Sequence, residues 1–389
     1  MPFSFHHKEQ KMKLLIPVSA GVEASVKRQL KYLGYGDCPA NEGRIAVEGG
    51  WEDIARLNVF LRSGERVLLC LSTFHAATFD ELYEGVYSLP WEEFFTPHTH
   101  ILIDGKCVKS ALMAIKAAGG VAKKAILNRL REKFGVSTFD EKGERAVVGI
   151  SIFEDVATVT LDTSGDGLHK RGYRVLSYDA PLRETTAAAI VESSVFHPEK
   201  PLADLFCGSG TIPIEAALLA QNIAPGLLRT FDFTAWKNAP PVLPRAKEEA
   251  KDCIIRGKQV DIFGGDLSPR AIEIARFHAK RAGVQDIVRF ACADMREFHS
   301  SKEYGVLISN PPYGERLSKG ENLKELYVGF SKTFRALKDW SCYFITSYMG
   351  AERAFGKPAD KRRKLFNANL ECCLYTYLGK KPPKNLNVE

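Results

Sequence analysis

The chain has 389 residues, 45% hydrophobic and 26% charged, which is ordinary for a globular protein of two or three domains. A net charge of +7 permits a polyanionic partner without requiring one. No run approaches the ~18 apolar residues of a membrane span, the start MPFSFHHKEQKMK lacks the apolar core of a signal peptide, and the nine cysteines and nine histidines show no metal-ligand spacing, so a cytoplasmic protein without a metal or a membrane partner is expected.

KLLIPVSAG, starting at Lys13, reads as a strand and loop. VEASVKRQLKYLGY has apolar residues at helical spacing, with Gly34 suited to end the helix. RIAVEG, WEDIARLNVFLRS and VLLCLSTFHA then read as strand, helix and strand, a β-α-β-α-β beginning from which a first small α/β module is taken over 1–65, with VLLCLSTFHA just beyond that boundary. Residues Tyr83 to Trp91 turn at Pro90, and HILIDGKCV is a strand. In the helix VAKKAILNRLREKFG, Ile126, Leu130 and Phe134 form one stripe and Lys124, Asn128 and Arg131 another. RAVVGISIFEDVATVTLDTSG reads as two strands with Glu154-Asp155 at the turn, closing a second α/β module over 66–163.

A composition shift over 164–180, rich in Gly, Tyr and basic residues, reads as a linker. Pro181 then suits a helix start in APLRETTAAAIVESS. Across 181–389 strands and helices alternate, from PLADLF to CCLYTYLG, which predicts a mostly parallel, Rossmann-like sheet. The fold class is therefore α/β throughout.

The stretch ADLFCGSGTIPIEAA couples a strand to a helix through a glycine turn, where Gly208 and Gly210 let the backbone approach a ligand. The third glycine of a dinucleotide fingerprint is replaced by Pro213, which disfavours a nicotinamide enzyme. Asp204 at the head of the loop suits a ligand ammonium and would repel a phosphate. Asp266 ends the next strand, where an acid can accept from ribose hydroxyls or cap the helix starting at Pro269. Between the two acids lies an insertion, IAPGLLRTFDFTAWKNAPPVLPRAKEEA, absent from a simple nucleotide-binding unit. Asp294 ends the third strand and could accept from an adenine amine or simply close the strand.

The fourth strand stops in Asn310-Pro311-Pro312-Tyr313. The Asn310 side-chain oxygen and the Pro311 carbonyl are two acceptors, matching the two hydrogens of an exocyclic amine. Tyr313 offers a face for a base, worth ~1–3 kcal/mol in stacking. Two basic stretches suit RNA phosphates: Lys123, Lys124, Arg129 and Arg131 in one, and Lys170, Arg171, Tyr173 and Arg174, beside His169, in the other.

ADLFCGSGT, GGDLS, CAD and NPPYGER resemble the successive motifs of class I S-adenosylmethionine-dependent methyltransferases, in the version acting on amines of adenine or guanine. The resemblance implies that Asp204, Phe206, Gly208 and Gly210 border the methionine part of the cofactor, Asp266 the ribose and Asp294 the adenine. Asn310, Pro311 and Tyr313 would hold the target base. NVFLRSGERVLLCLSTFHAATFDELYEGVYSLPW, VAKKAILNRL, LDTSGDGLHKRGYR, APLRETTAAAI and IAPGL resemble bacterial THUMP-domain ribosomal RNA guanine-N2 methyltransferases. The likeness is to the amino-terminal methyltransferase half of the large-subunit (23S) enzyme or its single-domain relatives. It implies a ferredoxin-like module, a THUMP RNA-binding domain and a catalytic domain, with 23S RNA or an assembling subunit as partner. The sequence stops soon after the catalytic sheet, so a second activity is not expected. Transfer RNA guanine-N2 or adenine-N6 methylation, and an RNA-binding protein with a vestigial cofactor fold, are the rival readings; the intact Asp204, Gly208, Gly210, Asp266 and Asn310 weigh against the last.

Overall fold

A computed structural model describes residues 11–41, 43–176, 182–257, 259–313, 322–368 and 370–383. The front half opens with β1 (Met12–Pro17), α1 (Glu23–Tyr32), β2 (Ala40–Asn41), β3 (Arg44–Gly49), α2 (Trp51–Phe60) and β4 (Leu68–His75). It continues with α3 (Phe79–Tyr87), β5 (His100–Val108), α4 (Ile115–Phe134), β6 (Arg145–Phe153) and β7 (Val156–Asp162). Sequence reading saw only a turn around Pro90. The structure has α3 before it, started by a reciprocal cap in which Thr78 Oγ1 accepts from the Glu81 N–H at 3.2 Å and the Glu81 carboxylate accepts from the Thr78 N–H at 3.0 Å. Glu154 and Asp155 both take positive φ, 49° and 61°, making the tight turn between β6 and β7.

The two expected front modules share one seven-stranded sheet, ordered β2-β3-β1-β4-β7-β6-β5. Strand β4 is the seam: it pairs antiparallel with β1 on one side and β7 on the other. On α4, Ile126 and Leu130 are fully buried while Lys124 and Arg131 face solvent, as the periodicity predicts.

The second half comprises α5 (Glu184–Ser193), β8 (Leu202–Asp204), α6 (Thr211–Ala220), α7 (Leu243–Asp252), β9 (Ile262–Asp266) and α8 (Pro269–Ala282). It ends with β10 (Val288–Cys292), β11 (Val306–Ser309), α9 (Leu323–Ala336), β12 (Ser341–Thr346), α10 (Ala351–Phe355), β13 (Lys361–Asn367) and β14 (Leu370–Tyr377). Its sheet runs β10-β9-β8-β11-β12-β14-β13. The first five strands are parallel, and β14 and β13 close the edge antiparallel. Strand order reverses between β8 and β11, which opens a crevice beyond their carboxyl ends. Pro181, the expected helix start, lies outside the described residues.

Two features weld the halves. The insertion between β8 and β9 folds back on the front sheet. Trp236 stands edge-on to Trp51 at 6.0 Å and to Phe94 at 5.7 Å. The Gly226 N–H donates to the Val59 carbonyl at 2.9 Å, and a side chain there would meet Val59 Cα at 2.6 Å. Arg56 on α2 pairs with Glu249 on α7 at 2.8 Å.

The second weld is the segment expected to be a linker. Arg171 is 2% exposed and Tyr173 1%. Both reach Glu215 on α6: Tyr173 Oη donates to it at 3.0 Å and the Arg171 guanidinium sits at 3.4 Å. Arg171 also donates to the carbonyls of Leu168, at 2.7 Å, and of Arg62 in the front half.

Glu215→Ala leaves the Arg171 guanidinium buried without its anion. It is expected to cost ~3–5 kcal/mol, with part recovered in the Arg171→Met/Glu215→Met double variant. Urea unfolding of the three proteins checks this; a single variant within ~0.5 kcal/mol of wild type contradicts it.

Candidate active site

The glycine loop lies between the β8 exit and α6. Gly208 and Gly210 both have positive φ, 51° and 85°. A side chain at Gly210 would also come within 3.0 Å of Ala275 and the Phe290 ring, so glycine is required there by conformation and by space. Asp266 holds the loop from the neighbouring strand: one carboxylate oxygen accepts from the Gly208 N–H and the other from the Ser268 N–H, each at 2.9 Å. The helix cap that Asp266 could have supplied is made instead by Ser268, whose Oγ accepts from the Ala271 N–H at 3.2 Å.

Asp204 is 1% exposed. Its Oδ1 accepts from the Phe206 N–H at 3.1 Å. Burial pushes its carboxyl up to about 7, and the nearby Asp266 charge adds to the rise; the Phe206 N–H and the Ser309 hydroxyl oppose it. Two neighbouring acids thus differ sharply in environment, and a cation arriving beside Asp204 would draw it into its charged form. Phe206 stands edge-on to Phe330 at 5.2 Å. Burial holds the Cys207 thiol well above its usual range, so it is not a nucleophile at neutral pH.

Ser309, the last residue of β11, accepts from the Leu205 N–H at 3.1 Å and so locks the exits of β8 and β11 together. Asn310 follows. Its Oδ1 is buried and has no hydrogen-bond partner among the described residues. The Pro312 carbonyl accepts from Tyr327 Oη at 3.4 Å, and Tyr327 is itself anchored on Thr346 at 2.7 Å. Tyr313 departs from expectation: it is 8% exposed, and its hydroxyl accepts from the Asn367 side-chain amide of β13 at 3.0 Å. Packing, rather than an open stacking face, governs its ring here. The rest of NPPYGER, from Gly314, lies outside the described residues.

Asp294 makes a local turn. Its carboxylate accepts from the Arg296 N–H at 2.8 Å and pairs with the Arg296 guanidinium, which holds it below the usual carboxylate range. An adenine amine would have to share it with that arginine.

Of the basic candidates, Lys124 and Arg131 present their side chains at the surface of α4, Arg131 lying 5.8 Å over the Phe139 ring. Lys123 pairs with Glu141 at 2.7 Å, and Arg129 forks onto Glu92 at 2.6 and 3.1 Å. Lys170 is exposed but paired with Asp166 at 3.1 Å. The HKRGYR segment is otherwise turned inward, correcting its reading as an RNA surface. Arg171 and Tyr173 are buried on Glu215, and Arg174 bonds Thr211 Oγ1 at 2.7 Å and Glu184 at 3.2 Å. Burial beside arginines lowers His169 to about 4. Sequence reading overlooked the run Lys361-Arg362-Arg363-Lys364, whose four residues are exposed on the edge strand β13; the signal was the charge run itself.

Among the described residues no helix is long and apolar enough to cross a membrane, and no group of three or more His, Cys, Asp or Glu gathers as metal ligands.

Residues 171–376 match the RMKL-like methyltransferase domain, 13–68 the RlmL ferredoxin-like domain and 76–162 the THUMP domain. YpsC of Bacillus subtilis, named as a candidate RNA methyltransferase, is 37% identical over 98% of this chain and 99% of its own. The ribosomal RNA large subunit methyltransferase K/L of Psychromonas ingrahamii is 34% identical over 93% of this chain but 49% of its own length, so the chain spans about half of that enzyme. SMU.472, a candidate methyltransferase solved in complex with SAH, superposes with a TM-score of 0.88 at 39% identity, covering 96% of this chain and 100% of its own. A Listeria monocytogenes protein described as an N6-adenine-specific DNA methylase superposes at 0.89 with 41% identity, covering 95% and 97%. The fold is accordingly that of a class I methyltransferase behind ferredoxin-like and THUMP domains.

The Asp204 environment has a thermodynamic consequence. Its folded-state value lies above the ~3.9 of an unfolded aspartate, so the stability it contributes is complete below about pH 4 and is lost as pH rises through 7. Asp204→Asn removes that slope. The stability of the ligand-free wild type relative to the variant should fall by roughly 2–4 kcal/mol between about pH 4 and pH 8, read from urea midpoints; parallel profiles contradict it.

Proposed function

Because the chain belongs to the RMKL-like methyltransferase family, we propose that it transfers a methyl group from S-adenosylmethionine to the exocyclic N2 amine of a guanine in RNA, with large-subunit ribosomal RNA as the substrate. The observation that carries this reading is the buried, unpartnered Asn310 Oδ1 at the crevice. Leaving a buried acceptor unsatisfied costs about 1–3 kcal/mol, and such a group is retained where a ligand will supply the donor.

The residues of the crevice suit the donor. Gly208 and Gly210 bring backbone close without side chains in the way. Asp204, poised near neutrality, would take the ammonium of the methionine part, with Phe206 beside it. Asp266 still has acceptor capacity for ribose hydroxyls after receiving two backbone N–H groups, since a carboxylate offers about four lone-pair sites. Asp294 would meet the adenine. When bound, S-adenosylmethionine supplies an activated, electrophilic methyl group.

The chain's part in the reaction is placement and charge stabilisation. Asn310 Oδ1 and the Pro311 carbonyl would accept the two amine hydrogens and aim the nitrogen. As the nitrogen becomes positive, the same two dipoles stabilise it, with no reorganisation needed at that moment. Proline on both sides of that carbonyl limits how far it can stray. Orientation of this kind can supply up to ~7–11 kcal/mol of barrier lowering. RNA would be gathered by the front half, with Lys124 and Arg131 of α4 facing solvent and Lys123 and Arg129, like Lys170 of the joining segment, available only by exchanging an acid for a phosphate. The 23S choice rests on likeness to the K/L enzymes, of which this chain spans about half.

Adenine N6 is the second reading, favoured by the name of the Listeria relative and by the chemistry of the clamp, which takes either amine. Nucleoside mass spectrometry of large-subunit RNA from a deletion strain separates them: loss of N2-methylguanosine at one position supports the first reading, loss of N6-methyladenosine replaces it with the second.

Asn310→Ala is expected to lower methyl transfer by roughly 10²–10³ while RNA affinity stays within about twofold, measured by methyl incorporation and filter binding. Full turnover, or lost RNA binding with turnover on a minimal substrate intact, contradicts the assignment. Lys124→Glu should weaken RNA binding and flatten its logarithmic salt dependence by about 0.7–0.9, and an unaltered slope would count against a phosphate contact there.

A further inference from the structure

We propose that one side of β13, carrying Lys361 and Arg363, is a phosphate-binding rail for the RNA strand that leads to the base clamp. The inference rests on the RNA reading above.

The strand is built from KRRKLFN, and its first four residues are exposed. It is the edge of the catalytic sheet, paired only with β14, so the other flank of its backbone has no strand partner among the described residues. Residues alternate between the two faces of a strand. On one face Arg362 and Lys364 are matched by acids: Arg362 Nε donates to Glu352 at 3.0 Å, and Lys364 pairs with Glu371 at 2.6 Å. On the other face lie Lys361, Arg363, Leu365 and Asn367. Neither Lys361 nor Arg363 forms an ion pair among the described residues; Arg363 makes only a 3.4 Å hydrogen bond to the Ser193 hydroxyl. Half of the strand's charge is therefore neutralised, and the half on one face is not.

That face leads toward the clamp past Leu365, which is 2% exposed and packed in the core. Asn367, at its far end, donates to the Tyr313 hydroxyl at 3.0 Å. The two exposed cations lie ~6.6 Å apart, and Asn367 follows Arg363 four rises, about 13 Å, further along the strand. The strand also abuts the front half: a side chain at Gly21, in the loop after β1, would come within 2.5 Å of the Lys364 carbonyl. RNA held by the front half and delivering a base to Asn310 thus meets this strand on the way. Lysine and arginine of an edge strand also serve to keep sheets from pairing edge to edge, but that role would not depend on which face the unmatched cations occupy.

The test compares Lys361→Gln/Arg363→Gln with Arg362→Gln/Lys364→Gln. A fluorescein-labelled single-stranded RNA of mixed sequence is titrated by anisotropy at several salt concentrations. The first variant should flatten the logarithmic salt slope by about 1.4, two contacts at ~0.7 each, and raise KM for an unmodified large-subunit RNA transcript roughly tenfold at nearly constant kcat. The second variant should change the slope by less than half as much. SAH affinity by calorimetry should match wild type in both. Equal effects of the two variants, an unchanged slope and KM, or aggregation of the first variant on gel filtration would each overturn the rail. Failure of the wild type itself to bind or methylate RNA would instead overturn the proposed function, so the two failures are distinguishable.

Discussion

Glu215 has no exposed side-chain surface, yet it carries two polar partners from another part of the chain. Removing a carboxylate and a guanidinium from water costs several kcal/mol each, and their attraction returns this only when the remaining donors are also satisfied. Here the Tyr173 hydroxyl and the carbonyls of Leu168 and Arg62 take up donors and acceptors left over. The cluster therefore contributes definition more than net stability. It fixes the segment between the two halves against the helix that leaves the glycine loop. Arg174, three residues on from Arg171, extends the same tie to Thr211, the first residue of that helix. The glycine loop and the front half are referenced to one buried point.

Around the loop, carboxylates do different work according to what surrounds them. Asp266 meets two backbone N–H groups and acts as a brace. Asp204 accepts from the Phe206 N–H and meets the Ser309 hydroxyl, but it is buried beside another acid, and its carboxyl is pushed up to about 7. A charged ligand group of positive sign would satisfy Asp204, while one of negative sign would find no welcome there. The same logic governs Asn310. The loop is braced internally before any ligand arrives, while Asn310 Oδ1 and the Ser209 hydroxyl of the loop itself are buried without a partner among the described residues. Site geometry is thus prepared by bonds within the protein, which is the condition for electrostatic stabilisation without rearrangement.

Motif order was readable because it reflects strand ends, and strand ends are announced by glycine, proline and acids: Asp204, Gly208, Asp266 and Asn310 sit at or just beyond the carboxyl ends of neighbouring strands. Alternation of strand and helix likewise showed the catalytic sheet. Other features were not legible, for physical reasons. A front sheet shared through β4 cannot be read from two local modules, because pairing partners are set by tertiary contact and not by propensity. Strand β13 was missed since four consecutive cations resemble a solvated loop. The inward turn of Arg171 and Tyr173 was invisible because sequence displays a charge but not the acid waiting for it, and Glu215 sits inside an otherwise apolar helix pattern. Tyr313 was expected to be open for the same reason: its partner, Asn367, lies far along the chain.

On the proposed reading, two acceptors at Asn310 and Pro311 would select for an amine, not for a particular base, and could not distinguish one guanine among many. Discrimination has to come from how the remaining RNA is held, over a distance set by the front half and the surfaces between. Positioning pays only if that distance is fixed, since a displacement of about 1 Å can cost 10²-fold in rate. A flexible hinge between an RNA-binding half and a catalytic half would forfeit it. The buried Glu215 cluster, the aromatic contacts of Trp236 and the Gly226 backbone contact are what a rigid gauge requires. On the proposed reading, the specificity of an indiscriminate clamp would be carried by the stiffness of the joint behind it.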